Sequence, residues 1–335
     1  ENEADKPEEE PVQETPVDPN GGEAPDETDE NEQTEGEDET EAPSGPPVIS
    51  DLRVENNQLI LTSDNPLKPS VFYLKYPDRI VMDITGVELE LDHLDTDFDE
   101  VTHQNRLEIG GELIEAVRFA NHNPETSQVR FVVDMATRGD YELTLNEEAN
   151  EIILDVTYGE YTIVIDAGHG DHDPGATGYS GKHEKDFNLA LALKVQELLE
   201  DEPRIAALMT RTSDVFLELE ERTDFANGKD ADAFLSIHAN AFMQSTRGTE
   251  TYYTHDYQYE FAKIIHKHLL EATGFPDRKL QENRFYVTRN TDMPAALIEV
   301  GFMTNPTEES ALFQESFQDK VAQALVDGMK EYFEL

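Results

Sequence analysis

The sequence predicts a mixed α/β sheet with helices on both faces, preceded by an all-β sandwich and a disordered acidic tail. Three observations carry this prediction. From Tyr161 onwards, apolar strand-like runs alternate with stretches striped at helical spacing, the pattern of a sheet flanked by helices. Residues 47–158 instead hold short β-rich runs separated by turn residues, with no helical stretch between them, as in a sandwich. Residues 1–46 are Glu, Asp, Pro, Gly and Thr with almost no large apolar side chains. Such a segment cannot bury enough surface to offset its ordering entropy. The expected division is therefore 1–46, 47–158 and 160–335.

Charge sets limits on partners. The chain of 335 residues carries a formal charge of −49. Nineteen Asp and Glu and a single Lys precede Val48, and 55 acids against 24 bases follow. Even the folded part is strongly acidic, which argues against nucleic acid, since phosphate binding relies on Lys and Arg patches. Two origins fit: a protein kept soluble where salt screens repulsion, or an ordinary acidic extracellular protein. The tail reads either as a tether that lets the folded part roam in a charged matrix or as a passive linker. With no cysteine, disulfides and thiolate metal sites are excluded, so any zinc would sit on His and carboxylate. No apolar run reaches the ~18 residues a membrane span needs. The opening at Glu1 shows no signal peptide and reads as an internal or processed start of a longer product.

In the sandwich region, Leu59-Ile60-Leu61, Val71-Phe72-Tyr73-Leu74, Ile80-Val81-Met82, Val129 to Val133, Tyr141 to Leu145 and Ile152 to Val156 are the strongest strand runs, with Val48 to Val54 before them and Val117-Arg118-Phe119 between. Asn56-Asn57, Tyr76-Pro77-Asp78 and Asn146-Glu147-Glu148 are the turns. No His, Asp and Glu cluster in it suggests chemistry. Tyr76-Pro77-Asp78-Arg79-Ile80-Val81-Met82-Asp83-Ile84 resembles the PxRxVxD core of AMIN domains, and Val117-Arg118-Phe119 and Val129 to Asp134 resemble that module's later strands. The resemblance implies a sandwich that directs proteins to the cell envelope, often by binding peptidoglycan. A packing domain without a ligand is the other reading.

From Tyr161 the expected order is a strand (162–166), a helix from about Lys185 to Glu200, a strand (204–210), a helix (217–227) closed by Gly228, and strands at 233–238 and 248–253. A helix at 257–272, strands at 285–288 and 295–299, and a last helix around 317–333 complete it. The first helix places Phe187, Leu191, Val195 and Leu198 on one stripe, the mark of packing on a sheet.

In open α/β sheets ligands bind beyond the carboxyl ends of the strands. His169 follows the first strand between Gly168 and Gly170, His238 ends the strand at 233–238, Glu299 ends the last strand, and Glu184 opens the first helix. Two His and one carboxylate make a zinc set with a fourth position open to water, and a further carboxylate can take that water's proton. Each residue also has a plainer reading. His169 could be loop surface, Glu184 a charge suited to the helix dipole, and His238 and Glu299 buried polar groups needing partners. His172 and His183 are neighbours read as non-ligands; His255, His266 and His268 read as surface residues.

The motifs themselves are more specific. Asp166-Ala167-Gly168-His169-Gly170, Asp173-Pro174-Gly175-Ala176, Gly178 and Glu184-Lys185 resemble the opening of the zinc-dependent N-acetylmuramoyl-L-alanine amidases. Thr210-Arg211-Thr212-Ser213-Asp214, Arg222 with Ala226-Asn227, Ser236 to Asn240, and Pro294 to Asn305 follow in that family's order. The resemblance covers 161–333 and implies zinc on His169, Glu184 and His238, with Glu299 as the catalytic carboxylate. Ala167 departs from the usual Pro, and no long helical insertion follows His238, which suggests control by localisation. Asn240 and Arg289 are expected at the rim, as substrate contacts or as structural polar caps. The implied protein is a secreted, monomeric cell-wall hydrolase acting on peptidoglycan. The alternatives are an inactive wall-binding protein and a zinc peptidase cutting within the stem peptide.

Overall fold

The computed structural model describes residues 45–123 and 125–335. Nearly all of the expected tail lies outside the described residues. The described ones form one compact unit with two architectures in series.

The first is a sandwich of two sheets. Strands β1 (Val48–Glu55), β2 (Gln58–Ser63), β5 (Glu88–Leu89), β10 (Gly139–Asn146) and β11 (Glu151–Tyr158) form one, in the order β10-β11-β2-β1-β5. Strands β3 (Pro69–Leu74), β4 (Arg79–Ile84), β6 (Asp97–Asp99), β7 (Gln104–Glu108), β8 (Ile114–Asn123) and β9 (Gln128–Met135) form the other, in the order β3-β4-β9-β8-β7-β6. Inward residues such as Leu59, Leu61, Met82, Phe131 and Leu154 are buried between the sheets. Asn56 and Asn57 both take left-handed φ, 51° and 64°. Asn tolerates that conformation and it suits a two-residue hairpin. Strands β5 to β7 depart from the sequence expectation, because 88–108 is rich in Asp, Glu and His; backbone pairing of β5 with β1, β7 with β8 and β6 with β7 defines them.

The second is a six-stranded sheet of β12 (Tyr161–Ala167), β13 (Ile205–Met209), β14 (Ala233–Asn240), β15 (Thr249–Tyr253), β16 (Asp277–Glu282) and β17 (Ala295–Phe302), in the order β13-β12-β14-β17-β15-β16. Pairings among β13, β12, β14 and β17 are parallel, while β15 runs antiparallel to β17, so the sheet is mixed as expected. Helices α1 (Glu184–Leu199), α3 (Tyr259–Thr273) and α6 (Glu315–Tyr332) bury Phe187, Leu191, Ile265 and Leu325 against one face. Helices α2 (Leu219–Gly228) and α4 (Tyr286–Arg289) cover the other with Ala226 and Val287.

Four expectations are corrected. Residues 285–288, expected as a strand, lead into the single helical turn α4, where Arg289 and Asn290 donate back to Phe285 and Tyr286; a β-rich run this short does not distinguish the two. β16 was missed because Asp277–Glu282 is mostly polar. Gly228 is the last residue of α2 with an ordinary φ, and Lys229 caps it; the left-handed cap is Gly274 after α3, at φ 63°. His255, His266 and His268 are half-buried rather than surface residues: His255 meets the Arg289 carbonyl at 3.1 Å, His266 meets Thr251 Oγ1 at 2.9 Å and His268 meets Glu331 at 2.7 Å. A further helix, α5 (Pro306–Leu312), starts where Asn305 Oδ1 accepts from the amides of Thr307 and Glu308, an Asn-Pro start that the sequence carries in plain form.

Candidate metal centre and active-site cleft

Period-two alternation builds the site. Val164, Phe234, Leu297 and Tyr252 pack against α2 and α4, so the residues two positions further along each strand share that face. On β12, β14 and β17 these are Asp166, Ser236 and Glu299, with His238 two beyond Ser236; on antiparallel β15 the equivalent is Glu250. The register sets Asp166 beside Ser236, His238 beside Glu299, and Glu250 beside Glu299. A polar row thus crosses the carboxyl-end edge of the sheet directly above an apolar floor.

Beyond β12 the chain turns sharply. His169 itself takes a left-handed φ of 62°, uncommon for a residue with a Cβ. A Cβ at Gly168 would overlap the His238 ring, and one at Gly175 would come within 2.6 Å of both Glu184 Oε2 and His169 Cδ2. These two glycines let the loop close over the cluster. Two buried arginines hold it there. Arg211 donates to the carbonyls of Ala167 (2.8 Å), Gly168 (2.9 Å) and Lys185 (3.0 Å). Arg222 donates to the carbonyls of Ala167 (2.8 Å) and His169 (3.0 Å) and pairs with Asp166 at 2.7 Å. Asp166 also accepts from Thr210 and Ser236. Burial pushes the Asp166 carboxyl up, but Arg222 and Ser236 outweigh it and hold the group below its ordinary range.

One nitrogen from each of His169 and His238 and one oxygen of Glu184 lie within 4.8 Å of one another. Glu184 Oε1 is 3.2 Å from His169 Nε2 and 2.9 Å from His238 Nδ1. The Glu184 carboxylate is fixed by the amides of Ala176 (2.8 Å) and Ala239 (3.1 Å) and by Asn188 Nδ2 (3.2 Å). Burial raises its pKa, yet the two imidazoles bring it well below the carboxylate range. His169 donates from Nδ1 to Asp173 at 2.6 Å, which orients its Nε2 towards the cluster. Burial lowers the His169 pKa, but Glu184 and Asp173 raise it to about 8. Lys185 pairs with Asp214 at 2.6 Å, tying the helix start to the segment that carries Arg211.

Glu299 differs from these. It keeps some contact with the cleft, but its Oε2 is buried and has no hydrogen-bond partner. Burial, then Glu184 and Glu250, push its pKa well above the usual value. Behind it, Glu250 is held by Arg278 (2.7 Å), Asn240 Nδ2 (2.7 Å) and the Tyr252 hydroxyl (3.1 Å). Two imidazoles and a carboxylate around one point, with an unpartnered acid beside them, are a donor set suited to a divalent cation such as zinc.

A cleft of about 540 Å³ opens on the cluster. His169, His238, Asp173 and Glu299 line its polar end; Phe216, Leu217, Leu219, Phe285 and Tyr286 line an apolar arm. His172 and His183 contribute no atom to the cluster. Asn240 and Arg289, expected at the rim, do not line the cleft: the Asn240 amide is turned to Glu250, and Arg289 lies over the Tyr286 ring at 5.7 Å. Asp173 and Asn188 were not singled out in the sequence; Asp173 stands in the quoted motif four residues after His169, a spacing that would have suggested it.

Comparison with known proteins agrees with this geometry. The family profile of N-acetylmuramoyl-L-alanine amidases matches residues 163–331, and that of the AMIN domain matches 51–156. Over 177 residues the chain is 41% identical to the uncharacterized protein YqiI of Bacillus subtilis, spanning 52% of this chain and 85% of that protein. It is also 41% identical over 177 residues to the N-acetylmuramoyl-L-alanine amidase LytC of the same organism, spanning 51% of this chain and 35% of LytC. The solved catalytic domain of CwlV, an N-acetylmuramoyl-L-alanine amidase from Bacillus (Paenibacillus) polymyxa var. colistinus, superposes with a TM-score of 0.52 at 46% identity, covering 52% of this chain and 98% of that one. With its signature residues gathered at one sheet edge and its second half matched from end to end, the chain belongs to the N-acetylmuramoyl-L-alanine amidase family.

Proposed function

We propose that the protein hydrolyses peptidoglycan at the amide joining the lactyl group of N-acetylmuramic acid to the L-alanine of the stem peptide, with one zinc ion held by His169, Glu184 and His238. The observation that carries this reading is the cluster of two imidazoles and a carboxylate within 4.8 Å beside Glu299, whose Oε2 is buried without a partner. When bound, zinc supplies Lewis-acid polarisation of water and of the scissile carbonyl. Asp173 keeps His169 in the tautomer that presents Nε2. Arg211 and Arg222 fix the loop carbonyls so that both rings stay in register. Glu299 accepts the proton of the attacking water and passes it to the departing alanine nitrogen; its raised pKa suits a group that must both take and give. The apolar arm along Phe216 and Tyr286 receives uncharged parts of the substrate and excludes water. Asn240 serves by holding Glu250 behind Glu299, and Arg289 meets substrate only from outside the cleft.

We assign the sandwich to envelope targeting and the protein to the secreted, cell-wall compartment, working as a monomer. Among the described residues no helix is long and apolar enough to cross a membrane. The deciding experiment is mass spectrometry of fragments released from purified walls. An amidase frees whole stem peptides beginning with L-alanine. Cuts inside the stem peptide would make the protein a zinc peptidase, and no release by a metal-loaded sample would make it a wall-binding protein.

A further inference from the structure

We infer that the sandwich is locked onto the α/β domain as one rigid body through Arg138 and Asp232, so that it sets the orientation of the active-site cleft rather than trailing on a flexible tether. Separate domains in one chain move relative to each other by default. Here the connection is two residues long, Gly159 and Glu160, between β11 and β12. The Gly159 amide donates to the Arg138 carbonyl at 3.1 Å, and a Cβ at Gly159 would lie 2.8 Å from the Gly139 carbonyl. The linker is thus packed onto the sandwich. So short a connection keeps the two surfaces at the highest effective concentration.

The contact itself has a defined geometry. Arg138 (6% exposed) of the sandwich meets Asp232 (2% exposed) of the α/β domain through two parallel hydrogen bonds, 3.1 and 2.9 Å. Its Nε donates to Asp78 at 3.0 Å, and its guanidinium lies 4.8 Å from the Tyr161 ring centre. Asp232 accepts in addition from the Thr162 amide at 2.8 Å and pairs with Lys75 at 3.2 Å. Lys75 also reaches Asp230 at 2.8 Å. In return, Arg204 of the α/β domain donates to the carbonyls of Gly159 (2.8 Å) and Arg138 (3.1 Å). A buried ion pair of this kind adds little net stability, since both charges lose hydration, but its two-pronged geometry admits one orientation.

Position gives the lock its consequence. Tyr161, Asp232 and Arg204 stand at or just before the first residues of β12, β14 and β13, whereas the metal cluster lies past the ends of the same strands. Seven residues of β12 separate the two edges by roughly 23 Å. The sandwich therefore holds a fixed place behind the cleft and leaves the opening clear. A wall polymer bound by the sandwich would be presented to the cleft at one distance and direction; this last clause rests on the proposed function.

The chain has no cysteine, so two can be added cleanly for spin labels. Glu148→Cys in the sandwich and Glu197→Cys on α1 are both exposed. Pulsed electron paramagnetic resonance on the full chain should give one narrow distance distribution. The double substitution Arg138→Gln with Asp232→Asn, which removes both charges together, should broaden it. A broad distribution in the parent chain overturns the rigid body, and a distribution unchanged in the double variant overturns the assignment to this pair. Should that variant fail to fold, inserting ten Gly and Ser residues after Gly159, worth roughly 17 Å of end-to-end freedom, replaces it: with Arg138 and Asp232 intact the distribution must stay narrow, and broadening overturns the lock. The double variant should also lose rate on intact walls while keeping the parent rate on a soluble muramoyl peptide. A variant-to-parent rate ratio that is the same on both substrates would overturn the orienting role, whereas a parent chain inactive on both would refute the amidase reading and leave the distance result standing.

Discussion

Two carboxylates at opposite edges of the α/β sheet, Asp232 and Glu299, are treated in opposite ways. At the amino-terminal edge, Asp232 has both oxygens taken, by the two nitrogens of Arg138, the Thr162 amide and Lys75. At the carboxyl edge, Glu299 has a buried oxygen with no donor, beside Glu184 and Glu250, which push its pKa up. There too His169 takes a left-handed φ and two imidazoles crowd one Glu184 oxygen. A fold can place either kind of acid in its interior. The satisfied one fixes geometry; the unsatisfied one is left without a donor, as the proposed proton acceptor should be. Among the acids of this edge, an unsatisfied buried oxygen singles out Glu299 as the candidate for proton exchange.

The comparison breaks most visibly at Glu299. Glu299→Gln should lower turnover by about 10²- to 10⁴-fold with zinc content unchanged, measured as fragment release together with metal analysis, while His238→Ala should lose both. If Glu299→Gln also loses zinc, the division between ligand and base is wrong. Second in size is Gly168→Ala, whose Cβ meets the His238 ring; displacing that ring by about 1 Å should cost roughly a hundredfold in turnover with little change in unfolding midpoint.

Among the satisfied groups the expected losses are in stability. Arg222→Ala would strand buried Asp166, and should cost about 3–5 kcal/mol in denaturant unfolding. Acid exposes the same pair. The folded pKa of Asp166 is depressed, so its stabilising contribution is complete above the unfolded value of about 3.9 and disappears as pH falls through the lower folded value. Asp166→Asn should accordingly be less stable than the parent at neutral pH and lose less on acidification below pH ~4. The smallest effect is expected from Arg289→Ala: less than about tenfold in rate, or ~1.4 kcal/mol, because its guanidinium stands outside the cleft.

Much of this was legible in the sequence where physics is local. The change from short β runs to alternating strands and helices at Tyr161 marked the two architectures, and His238 and Glu299 stood out because each closes an apolar strand. What escaped depends on contacts distant in sequence. Arg211 and Arg222 act on carbonyls 26 to 55 positions away, and Arg138 meets Asp232 across 94; no period in the sequence encodes such pairings. β16 is polar because it is an edge strand beside β15, and α4 is a single turn whose apolar residues serve the cleft. His266 was misread because its neighbours on β15 and β16 are invisible from helix α3 alone.

Whether His169, Glu184 and His238 together grip one catalytic ion is decided by a zinc titration of chelator-treated, dialysed protein followed by wall digestion. One zinc per chain is expected, with activity that rises from baseline in step with occupancy. Folded, metal-free protein that releases stem peptides at the full rate would contradict it.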